Sequence, residues 1–142
     1  MAYLEILLGA VAAFALGAVW YTALFGKAWQ GETGITDEQA QSNVLRTHGT
    51  AFLMMCVMSF VINFVINMHE VADQTFVHGA FHGAMLAAMF AVPATAINYS
   101  YQKKSLKLFA IDASYLIGLC AISGGVMAWL KFGSEVIEAS AG

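Results

Sequence analysis

Four long apolar stretches, Tyr3 to Phe25, Thr47 to Met68, Phe76 to Tyr101 and Leu108 to Lys131, follow one another with short polar connections between them. At about 1.5 Å per residue, each reaches as a helix across a hydrocarbon layer about 30 Å thick. With 60% apolar and only 11% charged residues, the chain carries too little polar surface for a soluble domain of its length. The sequence predicts an all-α integral membrane bundle, one domain over residues 1–142, with four transmembrane helices and a short amphipathic helix in the first loop.

The cations set an orientation. Lys27 and Arg46 flank the first loop, and Lys103, Lys104 and Lys107 crowd the third. The second loop, His69 to Thr75, holds Glu70 and Asp73 but no Lys or Arg. By the positive-inside rule the first loop is cytoplasmic and both termini lie on the non-cytoplasmic side; Lys131, followed by Glu135 and Glu138, does not reverse the bias. The first stretch has no Lys or Arg ahead of it and carries Glu5, so it reads as a retained helix and not as a signal peptide. A net charge of −3 without a basic stripe excludes nucleic acid as a partner. Cys56 and Cys120 lie mid-span without metal-type spacing and read as apolar filler.

The third stretch divides into two faces at 100° per residue. His78, His82, Met85 and Met89 fall on one side, and Gly79, Gly83, Ala87, Ala91 and Ala94 on the other. Small residues four apart let a neighbouring backbone approach closely, where lipid gives no hydrophobic drive for association. Similar seams run through Gly9, Ala13 and Gly17 in the first stretch and through Ser114, Gly118 and Gly125 in the fourth. Pro93 deprives the Met89 carbonyl of its N–H donor, which predicts a kink or a substitute partner. Thr36-Asp37-Glu38-Gln39 fits a capping box, so a short helix starts there, with its continuation into the second span left open. Trp20, Tyr21 and Trp29 suit the headgroup level.

Polar residues sort by depth into two clusters. The outer one holds Glu5, Asn63, Asn67, His78 and His82; the inner one holds Arg46, Asn98, Asp112 and Tyr115, with His48 and Tyr99 at similar depth. Polar groups inside a span are costly unless partnered. Ser59, Asn63 and Asn67, at steps of four, must therefore face protein. For His78 and His82 one reading is a metal site, since imidazoles at i and i+4 aim at one ion, with Glu5 as a third ligand if the first and third spans touch. The other reading hydrogen-bonds both rings to Asn63 and Asn67. A haem or pigment would need a further axial ligand, because two rings on one helix face cannot bracket one iron; the cofactor is left unassigned. Asp112 is either a proton carrier or the partner of a nearby Lys, Arg or Tyr. No nucleophile elbow, His-Glu-x-x-His or phosphate loop occurs, so no enzymatic activity is expected.

The run Gly17-Ala18-Val19-Trp20-Tyr21, then Leu24-Phe25-Gly26-Lys27 and Trp29, with Ser105-Leu106-Lys107-Leu108-Phe109 leading to Asp112 and Tyr115, resembles the bacterial membrane family catalogued as domain of unknown function 1761. Ala23 stands where such members are expected to carry proline. The resemblance implies a four-helix protein of the bacterial inner membrane and brings no activity with it. Helices with a small-residue seam and a larger or more polar side point to an accessory or scaffold subunit, in a homo-oligomer or beside other membrane subunits. The alternatives are a minimal transporter or channel for a small solute or ion, or a metal- or pigment-binding protein using His78 and His82.

Overall fold

The computed structural model describes the backbone of residues 2–141 and the side chains of residues 3–131. Its helices are α1 (Ala2–Val19), α2 (Gly26–Thr33), α3 (Asp37–Gln41), α4 (Val44–Ile66), α5 (Phe76–Leu86), α6 (Val92–Gln102) and α7 (Leu106–Ala141). Two π turns, Trp20–Leu24 and Ala87–Ala91, continue α1 and join α5 to α6. Four helical stretches are long and apolar enough to cross a membrane, Tyr3–Leu24, Val44–Ile66, Phe76–Gln102 and Leu106–Lys131. They match the four expected spans to within a few residues.

The third span answers Pro93 with a π turn one turn ahead of the ring. There the Val92 N–H reaches back five residues to the Ala87 carbonyl, the substitution by which a helix absorbs a missing donor. The Thr36 capping box forms, with Gln39 N–H donating to Thr36 Oγ1 at 3.2 Å and Thr36 N–H to Gln39 Oε1 at 3.0 Å. Its helix stops at Gln41 and does not run on into the second span. Asn43 adopts a left-handed φ of 51° just before α4, a conformation Asn tolerates better than most residues.

The packing centres on α7, which touches α1, α4 and α5. Its partnership with α4 is parallel, fixed by three polar pairings at a constant separation of 64 residues. Ser59 and Ser123 hydroxyls lie 2.8 Å apart, Asn63 Nδ2 donates to Met127 Sδ at 3.7 Å, and Lys131 Nζ donates to Asn67 Oδ1. Helix α4 repeats its polar side chains every four residues and their partners on α7, Ser123, Met127 and Lys131, keep the same stride, so the rungs line up once helices run the same way. Against α1 and α5 the α7 contacts are antiparallel. A Cβ on Gly9 would meet Met127 and Ser123 at 2.8 Å, and one on Gly17 would meet the Tyr115 hydroxyl at 2.5 Å. Ala13 is fully buried beside them.

The tightest joint lies between α5 and α7. A Cβ on Gly79 would overlap the Gly124 carbonyl, and one on Gly83 the Cys120 carbonyl. Such proximity lets two backbones share dispersion and Cα–H···O contacts along their length. Gly118 and Gly125 do not share one neighbour: Gly118 faces Leu16 of α1, and Gly125 lies under the Phe76 ring of α5. Gly124, absent from the seam drawn on the sequence, makes the contact with α5. Phe60, Phe64, Phe81 and Phe90 stay exposed on the outer surface, as aromatic side chains meeting acyl chains do.

Helix α2 rests against the start of α7 through Glu32. Ser105 Oγ donates to Glu32 Oε2 at 2.5 Å, and Lys107 Nζ is 3.1 Å from Oε1. The Ser105 hydrogen bond first, and Lys107 second, hold the Glu32 carboxyl below the usual carboxylate range. A depressed carboxyl contributes while ionised, so the tie is present at neutral pH and is lost as pH falls through the lowered value. Amide exchange across residues 26–33, corrected for intrinsic rates, is expected to rise only below the ordinary carboxylate range. Glu32→Gln should abolish that step; an unchanged profile in the variant would discard the assignment.

Candidate metal centre at one end of the bundle

Helix α4 ends at Ile66 and α5 begins at Phe76, and the turn between them brings three histidines together. Thr75 caps α5, its Oγ1 accepting the His78 N–H at 3.3 Å, which places His78 in the first turn and His82 one turn on. His69, three residues past α4, folds back onto both. Its ring centroid is 4.7 Å from that of His78 and 4.4 Å from that of His82, and the latter two are 4.5 Å apart. One ring nitrogen from each of the three lies within 4.8 Å of the others.

The turn holds His69 deliberately. Gln74, almost fully buried, donates its Nε2 to the His69 carbonyl at 2.9 Å, and His69 Nδ1 lies 3.2 Å from the Val65 carbonyl. A carbonyl only accepts, so Nδ1 carries a proton and Nε2 is the ring atom left to serve as a metal ligand. His78 Nε2 and His82 Nδ1 are buried without a hydrogen-bond partner among the described residues. Buried ring nitrogens without partners are costly. Metal–nitrogen bonds of about 2.0–2.1 Å put tetrahedral donors about 3.3 Å apart, so small ring rotations bring the three onto one ion.

The sequence grouped His78 and His82 with Glu5, Asn63 and Asn67, and the structure divides that set. Asn67 Nδ2 donates to Asn63 Oδ1 at 2.8 Å, and both asparagines otherwise serve α7. Neither is the hydrogen-bond partner of a histidine. Glu5 Oε2 lies 3.6 Å from Lys131 Nζ, so it neutralises a cation of α7 and is not the third ligand. The third imidazole comes from His69, which depth alone assigned to a loop. A signal was present: in a short helical hairpin, residues just beyond one helix meet the first turns of the next.

The inner cluster divides as well. Asp112 accepts a hydrogen bond on each carboxylate oxygen, from Tyr21 and from Tyr99, both at 2.6 Å. Tyr115 stacks edge-on to Tyr21 with ring centroids 4.8 Å apart. Arg46 and Asn98 are exposed and are not hydrogen-bond partners of Asp112. Tyr21 reaches the carboxylate from the π turn that ends the first span, and its ring leans on Trp29 of α2 at 5.5 Å. His48, at the same end, donates its Nδ1–H to the Val44 carbonyl over 3.0 Å and sits edge-on to Phe14.

Residues 4–128 match a protein-family model described as "Protein of unknown function (DUF1761)". No curated protein matches the chain, and no solved structure does.

Proposed function

Because the chain belongs to the DUF1761 family, for which no function is described, its role has to be read from its own residues, and we propose that it is a membrane protein that holds a transition-metal ion on His69, His78 and His82. The observation that carries this is the convergence of one ring nitrogen from each of three imidazoles within 4.8 Å, in a group where His78 Nε2 and His82 Nδ1 are buried without a hydrogen-bond partner among the described residues. An all-nitrogen set suits zinc, copper or nickel better than magnesium or calcium, which take oxygen ligands. We place the chain in the bacterial inner membrane with both termini on the non-cytoplasmic side, following the family resemblance and the distribution of cations. The metal end then faces away from the cytoplasm. Within that setting it acts as a non-enzymatic accessory subunit, in a homo-oligomer or beside other membrane subunits. The alternative of a solute pathway has less support, because the polar rungs between α4 and α7 give way inward to Leu119 and Cys120, both buried and apolar in character.

Elemental analysis and metal titration of the protein in mild detergent test the reading. One equivalent of zinc, copper or nickel per chain is expected. Even an outer partner of a ligand is worth about 10–100-fold in metal affinity, so His69→Ala and His78→Ala should each lose at least that much. Gln74→Ala, which frees the His69 carbonyl, should lose less. His48→Ala should lose nothing. Stoichiometric metal persisting in the triple His69→Ala/His78→Ala/His82→Ala variant, or none in the wild type after loading, would end the proposal.

A further inference from the structure

The opposite end of the bundle carries a second feature, independent of the histidines. Where the first span breaks, the chain turns a corner at Phe25 and α2 lies back against the first two turns of α7. A groove of about 320 Å³, open on one side, is left between them. One wall is Trp20, Phe25 and Ala28; the other is Ala110 and Ile111, with the largely exposed Lys107 beside them. The Trp20 and Phe25 rings lie 4.6 Å apart and make that wall continuous. The indole N–H of Trp20 is buried and lacks an acceptor among the described residues.

We propose that this groove binds an anionic phospholipid, its acyl chain between Trp20 and Ile111 and its phosphate at the lysines. Two things select the occupant. The walls are apolar apart from Ser114 and stand where the first and fourth spans reach their inner ends, so an alkyl chain enters from the hydrocarbon side and its headgroup meets the loops. The adjoining loops supply five cations, Lys27, Arg46, Lys103, Lys104 and Lys107, against three carboxylates, Glu32, Asp37 and Glu38. Lys107 and Glu32 are paired with each other, which leaves four cations against two carboxylates. The excess positive charge sits at headgroup level, where phosphates lie.

A basic residue near an anionic surface is worth about fivefold in affinity, so two or three lysines at one headgroup predict a preference on the order of tenfold or more for phosphatidylglycerol over phosphatidylcholine. Native mass spectrometry from mild detergent, with both lipids offered at equal concentration, reads this directly. The expected result is one retained phosphatidylglycerol per chain. It should be lost in Ala110→Phe, which fills the groove, and weakened in Lys103→Gln/Lys104→Gln, which leaves the Glu32 tie intact. Brominated chains give a second reading in vesicles. In a Trp29→Phe/Trp129→Phe background, Trp20 emission should be quenched more by brominated phosphatidylglycerol than by brominated phosphatidylcholine, and Ala110→Phe should erase the difference. Equal retention or equal quenching by the two lipids overturns the proposal, as does retention that survives Ala110→Phe. A second copy of the chain or another protein seated there in place of lipid overturns it too.

Discussion

Gly83→Val is expected to separate α5 from α7 and to lower the melting temperature of the detergent-solubilised protein sharply. The reason is the identity of the atom in the way. A Cβ at residue 83 would overlap the backbone carbonyl oxygen of Cys120, with the Cys120 carbonyl carbon at 2.6 Å behind it. Overpacked cores typically lose about 1–3 kcal/mol when side chains can step aside. Here neither neighbour is a side chain, so valine should cost the upper end of that range or more. Gly79→Ala meets the Gly124 carbonyl in the same manner and should follow with a smaller loss. Gly31 and Gly49 give the control, because each lies in a helix with nothing among the described residues within 4 Å of an added Cβ. Alanine there should be neutral or stabilise by up to about 1 kcal/mol. Thermal unfolding followed by circular dichroism checks the set. A Gly83→Val protein that melts within a degree or two of the wild type would show that the two helices are not joined along this line.

Asp112→Ala should be the next most damaging change. The carboxylate gathers Tyr21 from the first span, Tyr99 from α6 and its own helix, α7, through two 2.6 Å hydrogen bonds. Removing it strands two phenolic hydroxyls in a partly buried site, at about 1–3 kcal/mol for each unsatisfied group. The single variants Tyr21→Phe and Tyr99→Phe should each cost less, because the carboxylate keeps one donor. Together they should cost more than their sum, since a carboxyl group in a span left without either phenol donor is the most expensive arrangement of the set. Asp112→Asn, which still offers one acceptor, should fall between wild type and alanine. Additive Tyr21→Phe and Tyr99→Phe losses, measured as a double-mutant cycle on unfolding free energy, would remove Asp112 as the shared acceptor.

How much of this was legible in the sequence depends on the range over which each signal acts. The spans were legible because a bilayer imposes one requirement on some twenty consecutive residues, and the Thr36 capping box because both of its hydrogen bonds close within four residues. Ser59, Asn63 and Asn67 announced a polar stripe, and their partners Ser123, Met127 and Lys131 repeat at the same stride. Which stripe met which was not readable, since period says nothing of the neighbour. Depth alone therefore grouped Glu5 with the histidines, although a cation at the same height on α7 claimed it. Depth likewise groups Arg46 and Asn98 with Asp112, but both are exposed and neither is its hydrogen-bond partner. His69 is not legible as a site residue because a turn has no period; only the fold-back set by Thr75 and Gln74 brings it beside His78. The π turns belong to the same class, since Pro93 signals a lost hydrogen bond and not the form of its repair.

The even stride of the rungs between α4 and α7 limits how these two helices can move. A slide of a fraction of a turn would leave every rung facing an apolar side chain. A slide of one whole turn, about 5.4 Å, would carry Asn63 from Met127 to Ser123 or to Lys131 and so exchange one polar partner for another. The pair is built like a toothed rack: displacement along the membrane normal comes in notches of one turn, and between notches the two helices behave as a single rod.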